Sequence, residues 1–421
     1  MEQLIVGLFL VFFALEFAVE FGLNEANLRY VRKCWGEKKI PDFFQRSISA
    51  ADYEKSVQYT LAKGRFQRWA EIYDRAVILI VLFSGLLALL DRVSRNLTIG
   101  FSVMHLQGLI FCFGVALVFS IANLPADLYS TFRLEGRFGF NKTTWKMYLT
   151  DKLKEFLLGI LIGLPFLFAV LWLMQTTGSY WWIWTFFFVA GFELLILIIY
   201  PTLIAPLFNK FERLPEGELR KRILGLAEQV GFKTNGIFSM DGSKRSTHSN
   251  AYFTGIGKAK RIVLFDTLIV QMTIDQALAV LAHEMGHYKK KHIRRMLVMQ
   301  TVFLVLGLYV LSLLINYKPL FVAFGLDAPS NPAALVLFSL LSGPATFFVM
   351  PLINLLSRKH EYEADRFAVE TLRNRRPMEE ALINLTVKNL SNLTPHPWYS
   401  AYHYSHPTPT ERIGAIRAIS V

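Results

Sequence analysis

Seven long apolar runs are the feature that most limits how this chain can fold. Each approaches the ~20 apolar residues that a helix needs to cross a bilayer. Apolar residues make up 53% of the 421 positions and charged ones only 18%, whereas soluble domains carry about 25% charged residues. The expected fold class is therefore mainly α and multi-pass membrane, with seven transmembrane helices. The runs lie near 3–23, 74–91, 102–122, 155–175, 181–201, 296–316 and 333–356.

Local features refine this assignment at both ends. The chain begins Met1-Glu2-Gln3 without positive charge, so we expect the first run to remain a spanning helix and not to be removed as a signal peptide. Gly343-Pro344 interrupts the last run and predicts a kink or break there. The two cysteines, Cys34 and Cys112, are too few for a disulfide framework or a thiolate cluster and are expected to be unpaired.

Basic residues are distributed unevenly between the loops. The net charge is +13, which in so apolar a chain favours an anionic membrane surface over nucleic acid as partner. With the N-terminus outside, the loops 92–101, 176–180 and 317–332 contain few of the 45 Lys and Arg residues. Positive charge stays cytoplasmic, so this orientation is favoured and segments 202–295 and 357–421 face the cytoplasm. The exceptions on the outside are Arg92, Arg95 and Lys318.

Some positions within the apolar runs are acidic. Glu16 and Glu20 share one face of the first run, and Glu193 lies in the fifth. Glu20 is near enough to a helix end to reach the interface. Carboxylates inside spans otherwise face a bundle interior or water, so a polar interior cavity is expected. A transport pathway through such a cavity remains an alternative.

Segment 202–295 has a mixed α/β pattern. Asn250–Thr254 and Arg261–Phe265 are typical of two strands joined through a glycine-containing turn, Gly255-Ile256-Gly257-Lys258. Thr273-Ile274-Asp275-Gln276 fits a capping box, and we expect a helix from there through His292.

That helix carries a pattern with metal-site chemistry. In His283-Glu284-Met285-Gly286-His287, histidines at i and i+4 share one helix face and can hold one zinc ion. Glu284 is placed to take a proton from a water that zinc activates. The alternative is a solvated helix face with two incidental histidines. This pattern predicts a metalloprotease.

A third protein ligand is needed. The metzincin extension would require glycine at 290 and histidine at 293, where this chain has Lys290 and Ile293. Glu361 and Asp365 lie four apart after the last run, so we take Glu361 as the third ligand and expect Asp365 to orient a ligand histidine or relay a proton. A surface helix with ion pairs to nearby basic residues explains the same spacing.

Two further segments are candidates for substrate contact. Ser249–Thr254 is a candidate edge strand for a peptide, where Asn250 can bond a backbone group, or it is an ordinary hairpin start. His406, in Tyr402-His403-Tyr404-Ser405-His406-Pro407, can stabilise an oxyanion if it lies near the metal. A terminal aromatic cluster is the alternative.

Several longer motifs resemble one known family. The motifs are Leu124-Pro125, Tyr129-Ser130-Thr131-Phe132, Gly139-Phe140-Asn141, Pro206-Leu207-Phe208-Asn209-Lys210-Phe211, Leu214-Pro215-Glu216-Gly217, Asp241–Ser246, His248–Tyr252, His283–His287, Glu361 with Asp365, and Ser405-His406-Pro407. Together they cover nearly the whole chain. The sequence is similar to the type I CAAX prenyl proteases, membrane zinc endopeptidases that process prenylated proteins.

The resemblance implies seven tilted helices around a water-filled chamber, with a zincin-like α+β protease domain on the cytoplasmic side. It implies zinc ligation by His283, His287 and Glu361 and catalysis by Glu284 and Asp365. Substrate contacts would come from Asn250, His406 and Arg412. The implied domains are 1–201, with five transmembrane helices, and 202–421, with two more.

The expected activity is removal of the C-terminal -aaX tripeptide from prenylated proteins at the endoplasmic reticulum membrane. The substrate is then a protein or peptide carrying a lipid, and the bilayer is a second partner. The outside loops are small and the chain ends Ala418-Ile419-Ser420-Val421 without a dilysine signal. A bacterial inner-membrane protease for membrane-protein quality control is therefore an alternative, as is a non-enzymatic seven-span scaffold.

Overall fold

The computed structural model describes residues 1–99, 105–255 and 260–421, and within them the chain is mainly α-helical. The helices are α1 Glu2–Gly36, α2 Ala50–Phe83, α3 Leu86–Leu97, α4 Leu106–Leu128, α5 Gly136–Phe138, α6 Trp145–Leu158, α7 Leu164–Thr176, α8 Trp181–Ile199, α9 Ala205–Phe208, α10 Glu218–Gln229, α11 Asp266–Gln271, α12 Ile274–Lys289, α13 His292–Leu314, α14 Lys318–Ala323, α15 Asn331–Leu341, α16 Gly343–Phe347, α17 Met350–Leu372, α18 Arg376–Lys388, α19 Pro397–His403 and α20 Pro409–Arg417.

Five continuous helices are long and apolar enough to cross a membrane. Two bent helix pairs pass the same test, so the described residues contain five to seven candidate spans. Each corresponds to one predicted run, although residues 102–104 of the third run lie outside the described residues. The five are Glu2–Gly36, Leu106–Phe138, Trp145–Thr176, Gly178–Phe208 and His292–Leu314, and the bent pairs are Ala50–Phe83 with Leu86–Leu97 and Asn331–Phe347 with Met350–Leu372.

The two bends have different local causes. The first, of 58°, falls at Gly85, whose φ of +79° lies in the left-handed region that glycine adopts without strain. The second, of 62°, falls between Phe347 and Met350. At Gly343-Pro344, where the sequence predicts a kink or break, the helix is interrupted, because α15 ends at Leu341 and α16 begins at Gly343. Pro344 occupies the first turn of α16, where no amide hydrogen is needed, and the large bend lies further along, just before Pro351 in the first turn of α17.

Polar side chains within the apolar helices contact one another. Arg75 of α2 pairs with Glu16 at 3.3 Å, and the buried Glu20 faces His403 of α19 at 3.4 Å. Gln300 of α13 donates a hydrogen bond to Glu193 of α8 at 3.2 Å. The acidic residues that the sequence placed inside the spans therefore join helices and do not face lipid alone.

A small mixed sheet lies between the apolar runs. Its strands are β1 Phe211–Arg213, β2 Ile237–Met240, β3 Ala251–Thr254 and β4 Arg261–Phe265, in the order β1-β2-β4-β3. The antiparallel β3–β4 pair confirms the predicted strands, while most of the predicted turn lies outside the described residues. β3 pairs only with β4 among the described strands, so it has a free edge.

One buried cluster joins the sheet to both halves of the chain. Ile262 and Leu264 of β4 pack in the same cluster as Leu281 of α12, and so do Leu28 of α1 and Val57 of α2. The C-terminal part of α1 and the N-terminal part of α2 thus share a core with the helix that carries the histidine pair. The division at residues 1–201 and 202–421 stays a prediction.

Candidate active site

Helix α12 begins as the sequence predicts. Thr273 accepts a hydrogen bond from the Gln276 amide and the Gln276 side chain accepts one from the Thr273 amide, which completes a capping box. The sequence predicts that this helix continues through His292, but in the structure it ends at Lys289. Lys291 adopts a left-handed conformation with φ of +59°, and α13 starts at His292 in a new direction.

The close approach of α12 to α17 positions the third ligand candidate. A Cβ on Gly286 would lie 3.0 Å from Ala364 Cα and 3.2 Å from the Ala364 carbonyl oxygen. Glycine at this position therefore allows near contact between the two backbones. Consequently, Glu361, one turn before Ala364 on α17, faces the histidines of α12.

His283, His287 and Glu361 form one compact group of donor atoms. Each offers one ligand atom, and these atoms lie within 4.8 Å of one another. The two Nε2 atoms are 3.1 Å apart, and Glu361 oxygens lie 3.4 Å from that of His283 and 3.2 Å from that of His287. Glu361 Oε2 is buried and accepts no hydrogen bond among the described residues. Such an orphan acceptor beside two ring nitrogens fits a metal ion.

Asp365 and Arg412 support this group from behind. The Nδ1 atom of His283 lies 2.8 Å from an Asp365 oxygen, and Arg412 of α20 donates two hydrogen bonds to the same carboxylate, at 2.8 and 2.6 Å. Burial alone would raise the pKa of Asp365, but the Arg412 guanidinium and His283 hold it below its usual range. Asp365 is therefore an ionised acceptor that fixes the His283 ring, with Nε2 left to face Glu361.

The pKa values of His283, Glu361 and Glu284 are shifted by different causes. Burial alone would lower the pKa of His283, but the nearby Asp365 and Glu361 carboxylates outweigh burial and raise that pKa to about 9. Burial would raise the pKa of Glu361, yet contacts with His283 and His287 hold it well below its usual range. At Glu284, by contrast, burial is the dominant influence and raises the pKa of the carboxyl. Of the two carboxyl groups, Glu284 is thus the one whose pKa is raised, which favours a role as proton acceptor.

A third histidine, His292, contacts the ligand candidate His287. The sequence alone did not identify it as a site residue. Its Nδ1 lies 3.0 Å from Nδ1 of His287, and its Nε2 lies 3.0 Å from Glu363. In one continuous helix it would point about 140° away from His287. The break at Lys291 brings it back. A histidine shortly after the pattern was the only signal available.

The substrate residues expected from the sequence occupy different positions. His406 Nε2 lies 3.4 Å from Glu361 Oε1, so the C-terminal histidine does reach the ligand group. Asn250 is exposed and its side chain accepts a hydrogen bond from the Ala251 amide at 2.8 Å. It does not line the cavity that contains the histidines, whereas Tyr252, Phe253 and Thr254 of β3 do.

That cavity has a volume of about 870 Å³ and connects the ligand group to the membrane helices. Its walls are mostly apolar and aromatic, with His283, Glu284, His287 and Glu361 at one end. The apolar walls are contributed by Leu194 and Leu197 of α8, Tyr252 and Phe253 of β3, and Ile293, Met296 and Leu297 of α13.

Nearly the full chain is similar to known proteins. Residues 31–210 match the family model described as CAAX prenyl protease N-terminal, five membrane helices, and residues 213–420 match peptidase family M48. CAAX prenyl protease 1 of Saccharomyces cerevisiae is 36% identical over 411 residues, which cover 91% of this chain and 90% of the relative. The homolog from Arabidopsis thaliana is 39% identical over 386 residues, 90% of either chain.

A solved structure is similar throughout. The crystal structure of Saccharomyces mikatae Ste24p superposes with a TM-score of 0.88 at 34% identity and covers 96% of this chain and 97% of that one. These matches favour the protease over the transporter alternative. The chain therefore belongs to peptidase family M48, as a membrane metalloprotease related to the CAAX prenyl proteases.

Proposed function

We propose that this protein is a zinc endopeptidase that removes the C-terminal -aaX tripeptide from prenylated proteins. The observation that carries the proposal is the compact group formed by His283, His287 and Glu361, with the half-buried Glu284 beside it. Two imidazole nitrogens and one carboxylate are the ligand set typical of a catalytic zinc with an open position.

The side chains around this group have distinct roles. Bound zinc would polarise a water and the scissile carbonyl. Glu284 takes the proton of the attacking water, because burial has raised its pKa towards neutrality. His406, whose Nε2 reaches Glu361, donates a hydrogen bond to the developing oxyanion. Asp365, ionised and paired with Arg412, acts through His283 and is a positioning residue.

The ring of His287 is held by a chain of hydrogen bonds. For Nε2 to ligate metal, Nδ1 of His287 must carry the hydrogen and donate to Nδ1 of His292. His292 then carries its hydrogen on Nε2 and donates to Glu363. This assignment satisfies all four ring nitrogens, and it makes His292 and Glu363 positioning residues for the second ligand.

The substrate peptide would add to the free edge of β3. Main-chain pairing is tolerant of sequence, and Tyr252–Thr254 border the cavity that holds the ligand group. Asn250 stands at the start of this strand, where its amide can bond the backbone of the peptide. The mostly apolar cavity between α8 and α13 suits a lipid attached on the N-terminal side of the cleaved bond.

The proposal includes an arrangement of the helices in the membrane. We propose seven spans, counting each bent pair as one, around a water-filled chamber whose polar contacts include Glu16–Arg75 and Glu20–His403. The charge distribution supports a cytoplasmic position for α12 and the sheet. The relatives above are eukaryotic, and the endoplasmic reticulum membrane is the proposed location.

A cleavage assay tests this function. Purified protein in detergent receives one CAAX peptide in farnesylated and unlipidated forms, with and without a chelator followed by added zinc. We expect cleavage before the last three residues, faster for the farnesylated peptide, lost with chelator and restored by zinc. Equal rates for both peptides would refute lipid recognition, and chelator-resistant cleavage would refute the metal centre.

A further inference from the structure

A second cavity is lined by the stretch that precedes β3 and plays no part in the chemistry above. Its volume is about 520 Å³ and polar side chains form much of its wall. They come from α2, from the segment between α4 and α6, from the stretch before β3 and from the segment after α18. The lining includes Lys63, Glu135, Arg245, His248 and Asn389.

The stretch that leads into β3 connects the two cavities. Arg245, Ser246 and His248 line the polar cavity, while Tyr252, Phe253 and Thr254 line the cavity with the ligand group. His248 precedes Ala251, the first residue of β3, by three positions. Three residues of extended peptide span about 10 Å, so a peptide laid along this edge has its two ends in different cavities.

Strand polarity decides which end of the peptide enters which cavity. Antiparallel pairs are the commoner arrangement, and a peptide antiparallel to β3 runs from Thr254 towards Ala251 and His248. Its C-terminal residues then enter the polar cavity. The apolar cavity, at the other end, receives the N-terminal side that carries the lipid. The preference for antiparallel pairing and the fit of the lipid to the apolar cavity thus predict the same direction for the peptide.

Arg245 has one donor group without a partner. Its Nε and Nη2 donate to Asp151 at 2.9 and 2.8 Å, which holds the guanidinium plane. Its Nη1 is buried and has no hydrogen-bond partner among the described residues. A buried donor without a partner is costly, and a carboxylate is the ligand that the arginine fork matches best.

Lys63 of α2 supplies a second cation to the lining of this cavity. It is exposed and lies 5.9 Å from the centre of the Tyr59 ring. Among the described residues, no carboxylate lies within ion-pair distance of its ammonium group. The cavity thus contains two positive side chains with capacity for one more anion.

The acidic residue of this cavity is already compensated. Glu135 accepts a hydrogen bond from the Tyr59 hydroxyl at 2.7 Å and faces His248 Nε2 at 3.6 Å. The His248 ring is held in turn by stacking on Phe140, with ring centres 4.0 Å apart, and by Asn389 at 3.1 Å. An incoming carboxylate is therefore directed to Arg245 and Lys63.

We propose that Arg245 and Lys63 bind the C-terminal carboxylate of the substrate. Binding of the chain end in the polar cavity would then fix how many residues separate it from the scissile bond. This inference rests on the proposed function, because it takes the substrate to be cleaved three residues from its C-terminus. It makes the two cations specificity-determining residues for a terminal carboxylate.

A pair of peptides isolates this contact. A farnesylated CAAX peptide with a free C-terminal carboxylate is compared with its C-terminal amide, by cleavage and by binding to the Glu284→Gln protein. Charge-assisted hydrogen bonds contribute about tenfold to a hundredfold in affinity. We expect the acid to bind about tenfold more tightly than the amide, and Lys63→Met and Arg245→Lys to reduce this ratio towards one while leaving amide binding unchanged.

Arg65→Met is the matched control. It removes a cation from the same helix, two positions away, that does not line the cavity, and it should preserve the ratio. Equal binding of acid and amide by the parent protein would overturn the inference, as would a ratio that survives both substitutions. If the parent cleaves neither peptide but the ratio depends on Lys63, the proposed function fails and the carboxylate site stands.

Discussion

The contact between Gly286 and Ala364 leads to a prediction about the metal centre. In Gly286→Ala, the new Cβ would lie 3.0 Å from Ala364 Cα and 3.2 Å from the Phe367 Cβ. Carbon atoms pack at about 3.5–4.0 Å. Because two of the nearest atoms belong to the backbone of α17, relief requires α12 and α17 to separate by roughly half an ångström.

The separation should affect metal binding more than folding. Overpacking costs about 1–3 kcal/mol, and replacing glycine by alanine inside a helix returns about 1 kcal/mol, so the free energy of unfolding should fall by about 2 kcal/mol at most. Metal–ligand distances tolerate only about 0.2 Å of error. Glu361 is on one helix and both histidines are on the other, so we expect metal affinity to fall by about tenfold or more.

Chelator competition and thermal unfolding measure the two effects in the same preparation. Gly225→Ala in α10 is the control, because a Cβ there meets nothing within 4 Å, and it should leave both values unchanged or raise the unfolding temperature slightly. Wild-type metal affinity in a folded Gly286→Ala protein would refute the argument that close helix contact sets the ligand geometry.

Other residues give sharper single outcomes. Glu284→Gln should retain one zinc per chain and lose cleavage by about a hundredfold or more; metal content and turnover check this, and full turnover would contradict it. His292→Phe should lower zinc affinity by about ten- to a hundredfold, measured by chelator competition, with an unchanged affinity contradicting the hydrogen-bond chain to Glu363. Arg412→Ala leaves Asp365 buried without its partner and should destabilise the fold by about 3–5 kcal/mol; thermal unfolding in detergent tests it, and an unchanged midpoint would show that the pair is dispensable.

The histidine pair and its helix were accessible to sequence reasoning because they depend on local rules. A capping box, an i and i+4 spacing and the run of apolar residues each act within a few turns of one helix. The same holds for Glu361 and Asp365, whose spacing placed both on one face of α17. The apolar runs likewise predicted the candidate spans, since bilayer thickness alone sets their length.

The tertiary structure decided how these segments meet. His292 contacts His287 only because Lys291 breaks the helix, and no periodic pattern signals that break. The break predicted at Gly343-Pro344 separates α15 from α16, but the large bend lies before Pro351, where the sequence did not indicate one. The partnership of Arg245 with Asp151 joins residues 94 positions apart.

The sequence by itself therefore determined that this chain is a helical membrane protein carrying a histidine pair with metal-site chemistry. Only the structure showed that Gly286 allows α17 to bring Glu361 to those histidines, and that β3 lines an apolar cavity while the stretch before it lines a polar one. The physical reason is that spacing along one helix is a local property, whereas the approach of two segments depends on packing across the whole fold.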